Sequence, residues 1–319
     1  LAPEPRRPPR LSPGDTLAVV APSSPVLERS RGTRGALRLE ELGFQVRLAP
    51  HVGTDRGYLA GSDRDRAADL LWALEDPSVD AVICLRGGYG AMRTLLALVE
   101  MAGPSGLDRL ATRPPKAFIG FSDITVLHAF LQKCGWVSFY GPVVTSMGRA
   151  SDYTMASFRA ALMEGRPYTV GPSPDDPYTE AMVEGVAEGP LAGGCLALLA
   201  SLVGTPWQPD LSGRVVFFED VDCEPYEVDR YLTQLLAAGA LEGCAGIVVG
   251  EHASCQPRSG GNSLGLEQVF TDLLVPLGVP VLYNLPLGHG AHLATLPLGV
   301  PVRMDAAKAC LEVLDAPVA

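Results

Sequence analysis

Three times in its first 120 residues the chain writes a short apolar run and then breaks it with glycine or small polar residues. The runs are Thr16–Ala21, Ala81–Leu85 and Ala117–Ile119. A strand without a polar face is buried on both sides, which requires helices above and below a sheet. Helical spacing supplies those covers. Ala36, Leu37, Leu39 and Leu42 fall on one face before Gly43, and Ala67, Leu70, Leu71 and Leu74 on another before Asp76-Pro77. With Phe44–Leu48 alternating like a strand between them, the order strand, helix, strand, helix, strand predicts a parallel sheet with crossover helices.

In such a sheet, ligands bind where strands end. The first run ends in Pro22-Ser23-Ser24-Pro25, making both serines weak site candidates beside a plain loop reading. The second ends in Arg86-Gly87-Gly88-Tyr89-Gly90 and passes into a helix over 91–99. Its glycines let backbone N–H groups approach an anion or a developing oxyanion. It is neither G-x-G-x-x-G nor a P-loop. The third ends in Gly120-Phe121-Ser122-Asp123, and Ile124, Leu127 and Leu131 then recur at helical spacing. A serine on a tight strand-to-helix turn has the mechanics of a nucleophile elbow, although Ile124 stands where the second glycine of G-x-S-x-G would be. Helix capping by Ser122 and Asp123 is the alternative.

From residue 149 to 190, proline and glycine punctuate the chain and periodicity fades, so an inter-domain connection is expected there. Residues 13–148 then form an N-terminal domain and 191–319 a C-terminal one, with 1–12, Pro-rich and basic, as a disordered tail. In the second half, Leu191–Gly204 reads as a turn into an apolar helix. Gly213–Asp220 reads as a buried strand ending in carboxylates, Tyr226–Leu236 as a helix, and Ala245–Gly250 and Val281–Asn284 as strands. Leu285–Gly290 carries a glycine-flanked histidine on a loop, and 296–302 and 309–314 close as strands.

The net charge of −11 over 319 residues argues against a nucleic-acid partner, which needs a dense basic face. No apolar stretch has the length of a membrane span. The seven cysteines are scattered, with no C-x-x-C pair and no zinc spacing, and read as reduced and structural. No metal or cofactor is expected, since no H-E-x-x-H helix is present.

Three strand ends thus offer Ser122, Glu219 and His289, in an order that some hydrolases use for a triad. Serine needs an imidazole to take its proton, and the imidazole needs a carboxylate to hold its tautomer. Glu219 as a plain strand-end charge and His289 as a plain loop histidine remain open. His128 reads as helix packing, His51 and His252 follow strand ends without flanking glycines, and His292 is the close rival to His289.

The blocks Val82–Gly90, Ile119–Thr125, Phe218-Glu-Asp-Val221 with Pro225-Tyr226, and Gly288-His289 with Leu296–Gly299 resemble the L,D-carboxypeptidase family of serine peptidases, family S66. Pro13–Thr16, Val20–Ser23, Gly193-Gly194 with Leu198–Ser201, and Gly204-Thr-Pro206 match as well. The resemblance implies a doubly wound parallel-sheet α/β N-terminal domain and a smaller β-rich C-terminal domain. It further implies a metal-independent cytoplasmic hydrolase, a homodimer, that removes the terminal D-alanine of murein tetrapeptides in cell-wall recycling. Carried over by residue, Ser122 is the nucleophile, Glu219 the triad carboxylate and His289 the base. The amides of Asp123 and Gly88 form the oxyanion hole. Cys195 departs from the asparagine expected after the two glycines.

A second branch of the family hydrolyses peptidyl-nucleotide antibiotics and stacks adenine on a tryptophan near the inter-domain loop. Here Trp72, Trp136 and Trp207 all lie outside 148–190, which favours the murein reading. A non-catalytic protein holding nucleotide phosphates on the Gly87-Gly88-Gly90 loop is the reading from another class.

Overall fold

The computed structural model describes residues 5–176, 178–258 and 262–319. Contacts divide them into two units. The first runs through Gly165 and takes back Thr295–Pro297 and Pro317–Ala319; the second holds Arg166–Ala294 and Leu298–Ala316.

In the first unit the chain alternates β1 (Thr16–Val20), α1 (Arg29–Glu41), β2 (Gln45–Leu48), α2 (Asp63–Glu75), β3 (Ala81–Cys84), α3 (Ala91–Thr112), β4 (Ala117–Gly120), α4 (Thr125–Lys133) and β5 (Ser138–Tyr140). Two short helices follow, α5 (Val144–Met147) and α6 (Asp152–Arg159). β1 to β5 pair in parallel in the order 5-4-3-1-2. The unbroken apolar runs are central strands with fully buried residues, whereas β2, at the edge, is mostly exposed. β1 sits where the strand order reverses, so the crevice of this sheet opens at the carboxyl ends of β1 and β3. β4, which ends in the serine turn, is the next strand over.

The second unit is built on a mixed sheet. Its strands are β6 (Tyr168–Val170), β7 (Glu180–Val183), β8 (Val186–Cys195), β9 (Val215–Val221), β10 (Gly246–Ala253), β11 (Val281–Gly288), β13 (Pro301–Asp305) and β14 (Cys310–Val313). The intervening β12 (Leu296–Leu298) joins the first unit's sheet beside β5. The order is 6-14-13-8-9-10-11-7, with β8 to β11 parallel and the flanks antiparallel. Helices α7 (Leu196–Leu202), α8 (Pro225–Ala237) and α9 (Leu266–Leu274) carry the apolar side chains that pack with Phe218, Ile247 and Val249. α8 buries Val228, Leu232 and Leu235, but Tyr226, expected on that face, is exposed.

Several segments differ from the sequence expectation. Residues 5–12, read as a disordered tail, are laid onto the first unit. Arg6 forms a β-bridge with Trp136, its guanidinium caps the carbonyls of Ala111, Arg113 and Cys134, and Leu11 N donates to Leu162 O at 2.8 Å. The basic side chain that suggested solvation is held by backbone acceptors instead. The 149–190 segment contains α6, β6 and β7, and the division between units falls within it, after Gly165. Leu191–Cys195, read as a turn, is the end of β8. Its glycines permit close strand approach, because a Cβ on Gly193 would lie 1.9 Å from Phe217 O.

Candidate active site

Ser122 is the one residue of the β4 turn that departs from ordinary backbone geometry. Its φ is +67°, a left-handed conformation that a side chain tolerates at a cost of order 1 kcal/mol or more. The turn around it is fastened at each side. Ser122 N donates to Tyr140 Oη at 3.0 Å, and Thr125 Oγ1 donates to Ser122 O at 2.7 Å. One 3₁₀ turn, Ser122–Ile124, then feeds α4. One turn before, Gly120 O accepts from buried His128 through Nε2 at 2.8 Å, while His128 Nδ1 meets Ser138 Oγ at 2.8 Å. Burial pushes the His128 pKa down to about 4, so this imidazole is a neutral brace.

Asp123 points the other way, into the protein. It is 3% exposed, and its Oδ2 accepts from Ser23 Oγ at 2.6 Å and from Ala91 N at 2.8 Å. Burial lifts its pKa, and those two hydrogen bonds oppose the rise. One carboxylate thereby ties the ends of β1 and β4 to the first turn of α3. Ser24 performs a parallel task. Its Oγ accepts from Tyr89 N at 3.0 Å, and a Cβ on Gly88, at φ +111°, would lie 2.5 Å from it. A Cβ on Gly87 would fall 2.9 Å from Ser122 Cβ. The glycine loop is therefore packed directly on the serine turn. The two serines flagged as weak candidates brace the loop and Asp123.

In the second unit, His289 Nδ1 lies 2.7 Å from Glu219 Oε2. Glu219 is fully buried and His289 partly so. Burial disfavours the imidazolium, but the Glu219 charge and hydrogen bond outweigh it, with Asp220 and Asp222 adding, and the His289 pKa is raised. Both flanking glycines make room for carboxylates. A Cβ on Gly288 would lie 2.1 Å from Glu219 Oε2, and one on Gly290 would lie 1.7 Å from Glu251 Oε2. β11 itself runs to Gly288, so the histidine follows the strand directly.

The rival His292 is held by Asp175, Nε2 to Oδ2 at 2.9 Å. His51 pairs with Asp69 at 2.7 Å, and His252 is packed edge-on against Phe218 and Phe270. Cys195 is the register partner of Glu219, and its thiol lies 3.6 Å from Asp220 Oδ1. Sequence reasoning passed over Glu251. It lies beyond an irregularity in the β9–β10 register, opposite Gly288, and burial, with the charges of Asp176 and Glu219 adding and His292 opposing, carries its pKa up to about 7. A carboxylate just past an apolar strand, in Gly250-Glu251-His252, was the available signal.

Ser122, Asp123 and Gly88 thus belong to the first unit, and Glu219 and His289 to the second, where they are paired. Among the described residues there is no cluster of three or more His, Cys, Asp or Glu able to hold a metal ion. No helix among them is long and apolar enough to cross a membrane.

Both parts of the chain have counterparts among known proteins. Residues 17–141 match the LD-carboxypeptidase N-terminal domain and residues 188–304 the LD-carboxypeptidase C-terminal domain. A probable murein peptide carboxypeptidase of Bacillus subtilis is 40% identical over 95% of this chain and 92% of its own. The crystal structure of a muramoyltetrapeptide carboxypeptidase from Oxalobacter formigenes aligns with TM-score 0.79 at 32% identity, over 95% of this chain and all of that one. The Escherichia coli microcin C7 self-immunity protein is 26% identical over 92% of each chain. A structure under that protein's name aligns at TM-score 0.86 and 24% identity over 99% of this chain and 100% of that one, a likeness of fold. With both of its domains matched and 40% identity to a relative over nearly its whole length, the chain belongs to the LD-carboxypeptidase family, S66.

Proposed function

We propose that this chain is a metal-independent serine L,D-carboxypeptidase that removes the terminal D-alanine from murein tetrapeptides. The observation that carries the reading is the buried Glu219 at 2.7 Å from His289 Nδ1. The tautomer that donates Nδ1–H to the carboxylate carries its lone pair on Nε2, the basic nitrogen of the ring. In this reading His289 takes the proton of Ser122 as its Oγ attacks the carbonyl before D-alanine. The developing oxyanion is received by the amides of Asp123 and Gly88. The imidazolium, stabilised by Glu219, then protonates the departing amine, and water releases the acyl-enzyme with His289 again as base. The strained φ of Ser122 suits a nucleophile elbow better than a simple cap, since a helix-capping serine ordinarily sits in extended backbone.

The names of the Bacillus and Oxalobacter relatives support a murein peptide as substrate. For the peptidyl-nucleotide reading, an accessible stacking ring would be needed. Trp136 is fully buried with its indole donating to Leu110 O, Trp72 has Arg47 over its ring at 4.7 Å, and Trp207, half-buried, follows α7 rather than lying in 149–190. A cytoplasmic homodimer engaged in cell-wall recycling is the setting that this reading entails. Incubation with a purified murein tetrapeptide followed by mass spectrometry tests the proposal. Release of D-alanine is expected; an intact peptide beside cleaved peptidyl-nucleotide would replace this reading with the second one.

A further inference from the structure

At the ends of β9 and β10 the chain makes the same hook twice. Val221 and Ala253 are partners in the parallel register. The residue after each, Asp222 at φ +56° and Ser254 at φ +58°, is left-handed, and the residue after that is a cysteine. Each thiol turns back onto its own strand end: Cys223 Sγ lies 3.5 Å from Val221 O, and Cys255 Sγ 3.6 Å from Ala253 O. Asp222 N donates to Ala253 O at 2.9 Å, which locks one hook to the other. The two thiols are close enough to shift each other's pKa, Cys223 upward and Cys255 downward.

We infer that Cys223 and Cys255 form a thiol pair that closes to a disulfide on exposure to a small disulfide oxidant. Neighbouring parallel strands lie about 4.8 Å apart, inside the Cα separation of roughly 4.4–6.8 Å that a disulfide spans. Equal offsets from a register pair, through equal backbone turns, place both cysteines at that spacing. Cys223 is the partly exposed member and Cys255 the buried one. In the balanced reaction the Cys223 thiolate attacks the oxidant RSSR, forming a mixed disulfide and releasing RS⁻. Cys255 Sγ then attacks Cys223 Sγ and expels the second RS⁻. The two thiol protons end on the two RSH, and two electrons pass from the pair to the oxidant.

Selectivity follows from the surroundings of the other thiols. Burial holds the Cys84 and Cys195 thiols well up, and carries Cys134 to about 11. Within the pair the same interaction lowers Cys255 and raises Cys223, so the Cys255 sulfur takes up the Cys223 proton as the partly exposed Cys223 sulfur engages the oxidant. The bond would sit four residues past Glu219 on one strand and four past Glu251 on the next. It would staple together the strand ends that carry those carboxylates.

The test is oxidation of the native full-length protein with glutathione disulfide, alkylation of remaining thiols, and peptide mapping without reduction. A Cys223–Cys255 cross-linked peptide is expected as the main product, reversed by dithiothreitol. In Cys255→Ser, glutathione should stay attached to Cys223, and in Cys223→Ser neither species should form. Circular dichroism of the variants checks that they are folded. A persistent glutathione adduct on wild-type Cys223, a different pairing such as Cys195 with Cys223, or no product at all would each overturn the inference.

Discussion

His289 Nδ1 meets a Glu219 carboxylate that has no exposed surface, at 2.7 Å. The pair raises the histidine's pKa above its ordinary value of about 6.5. A base must be neutral, so kcat/KM should fall as pH drops through a value above 6.5. Glu219→Gln removes the charge that stabilises the imidazolium, so its acid limb should move to lower pH while the rate falls by about 10³-fold or more. His289→Ala should leave little activity from pH 6 to 9, a range roughly bracketing that titration. His292→Ala should have a small effect. A dead His292 variant beside an active His289 variant would reassign the base.

Ser122→Ala should abolish turnover in a folded protein, since triad knockouts cost on the order of 10⁶ in kcat. Ser122→Gly should do the same while adding stability of about 1 kcal/mol, because glycine adopts φ +67° without strain. Urea denaturation of the two variants separates the effects. If Ser122→Gly is no more stable than Ser122→Ala, the turn does not store strain at this residue.

Gly288→Ala places a methyl group 2.1 Å from Glu219 Oε2, in a backbone conformation of φ +108°. The carboxylate must shift, so kcat/KM should fall at least about tenfold and stability by about 2 kcal/mol. Unchanged kinetics would show that Glu219 does not need the position it occupies here.

Glu251 carries a pKa raised to about 7, with burial as the main cause. For a carboxyl whose folded pKa exceeds its unfolded value of about 4.3, the stabilising contribution is full below the unfolded value and lost as pH rises through the folded one. Glu251→Gln should therefore gain stability relative to the parent between pH 5 and 8, by on the order of 2 kcal/mol. Thermal melts across that range give the comparison. Parallel melting curves for the two proteins would mean that Glu251 ionises freely.

What could be read in the sequence was what is local. β1, β3 and β4 announce themselves because burial on both faces leaves the run almost wholly apolar, with Thr16 at the partly exposed start of β1, and Ser122 is marked by the break that follows β4. The turn reading of Gly193-Gly194 failed because a glycine needed for strand clearance is spelled like one needed for a bend. Glu219 and His289 were named individually, but their hydrogen bond spans 70 positions and depends on the β9–β10–β11 register. The same register brings Glu251 beside Gly290 and Cys223 beside Cys255, relationships that no window of sequence contains.

The return of Thr295–Pro297 to the first unit has a consequence for how such a protein can be divided or inherited. β12 covers the outer side of β5, whose three residues are all buried. A fragment ending at Gly165 would possess every crossover helix of its sheet and still expose β5 as a raw edge, open to pairing with another copy. The two halves are therefore poor candidates for exchange by simple gene fusion. A recombinant keeping the first half intact would have to import its sixth strand from 130 residues downstream.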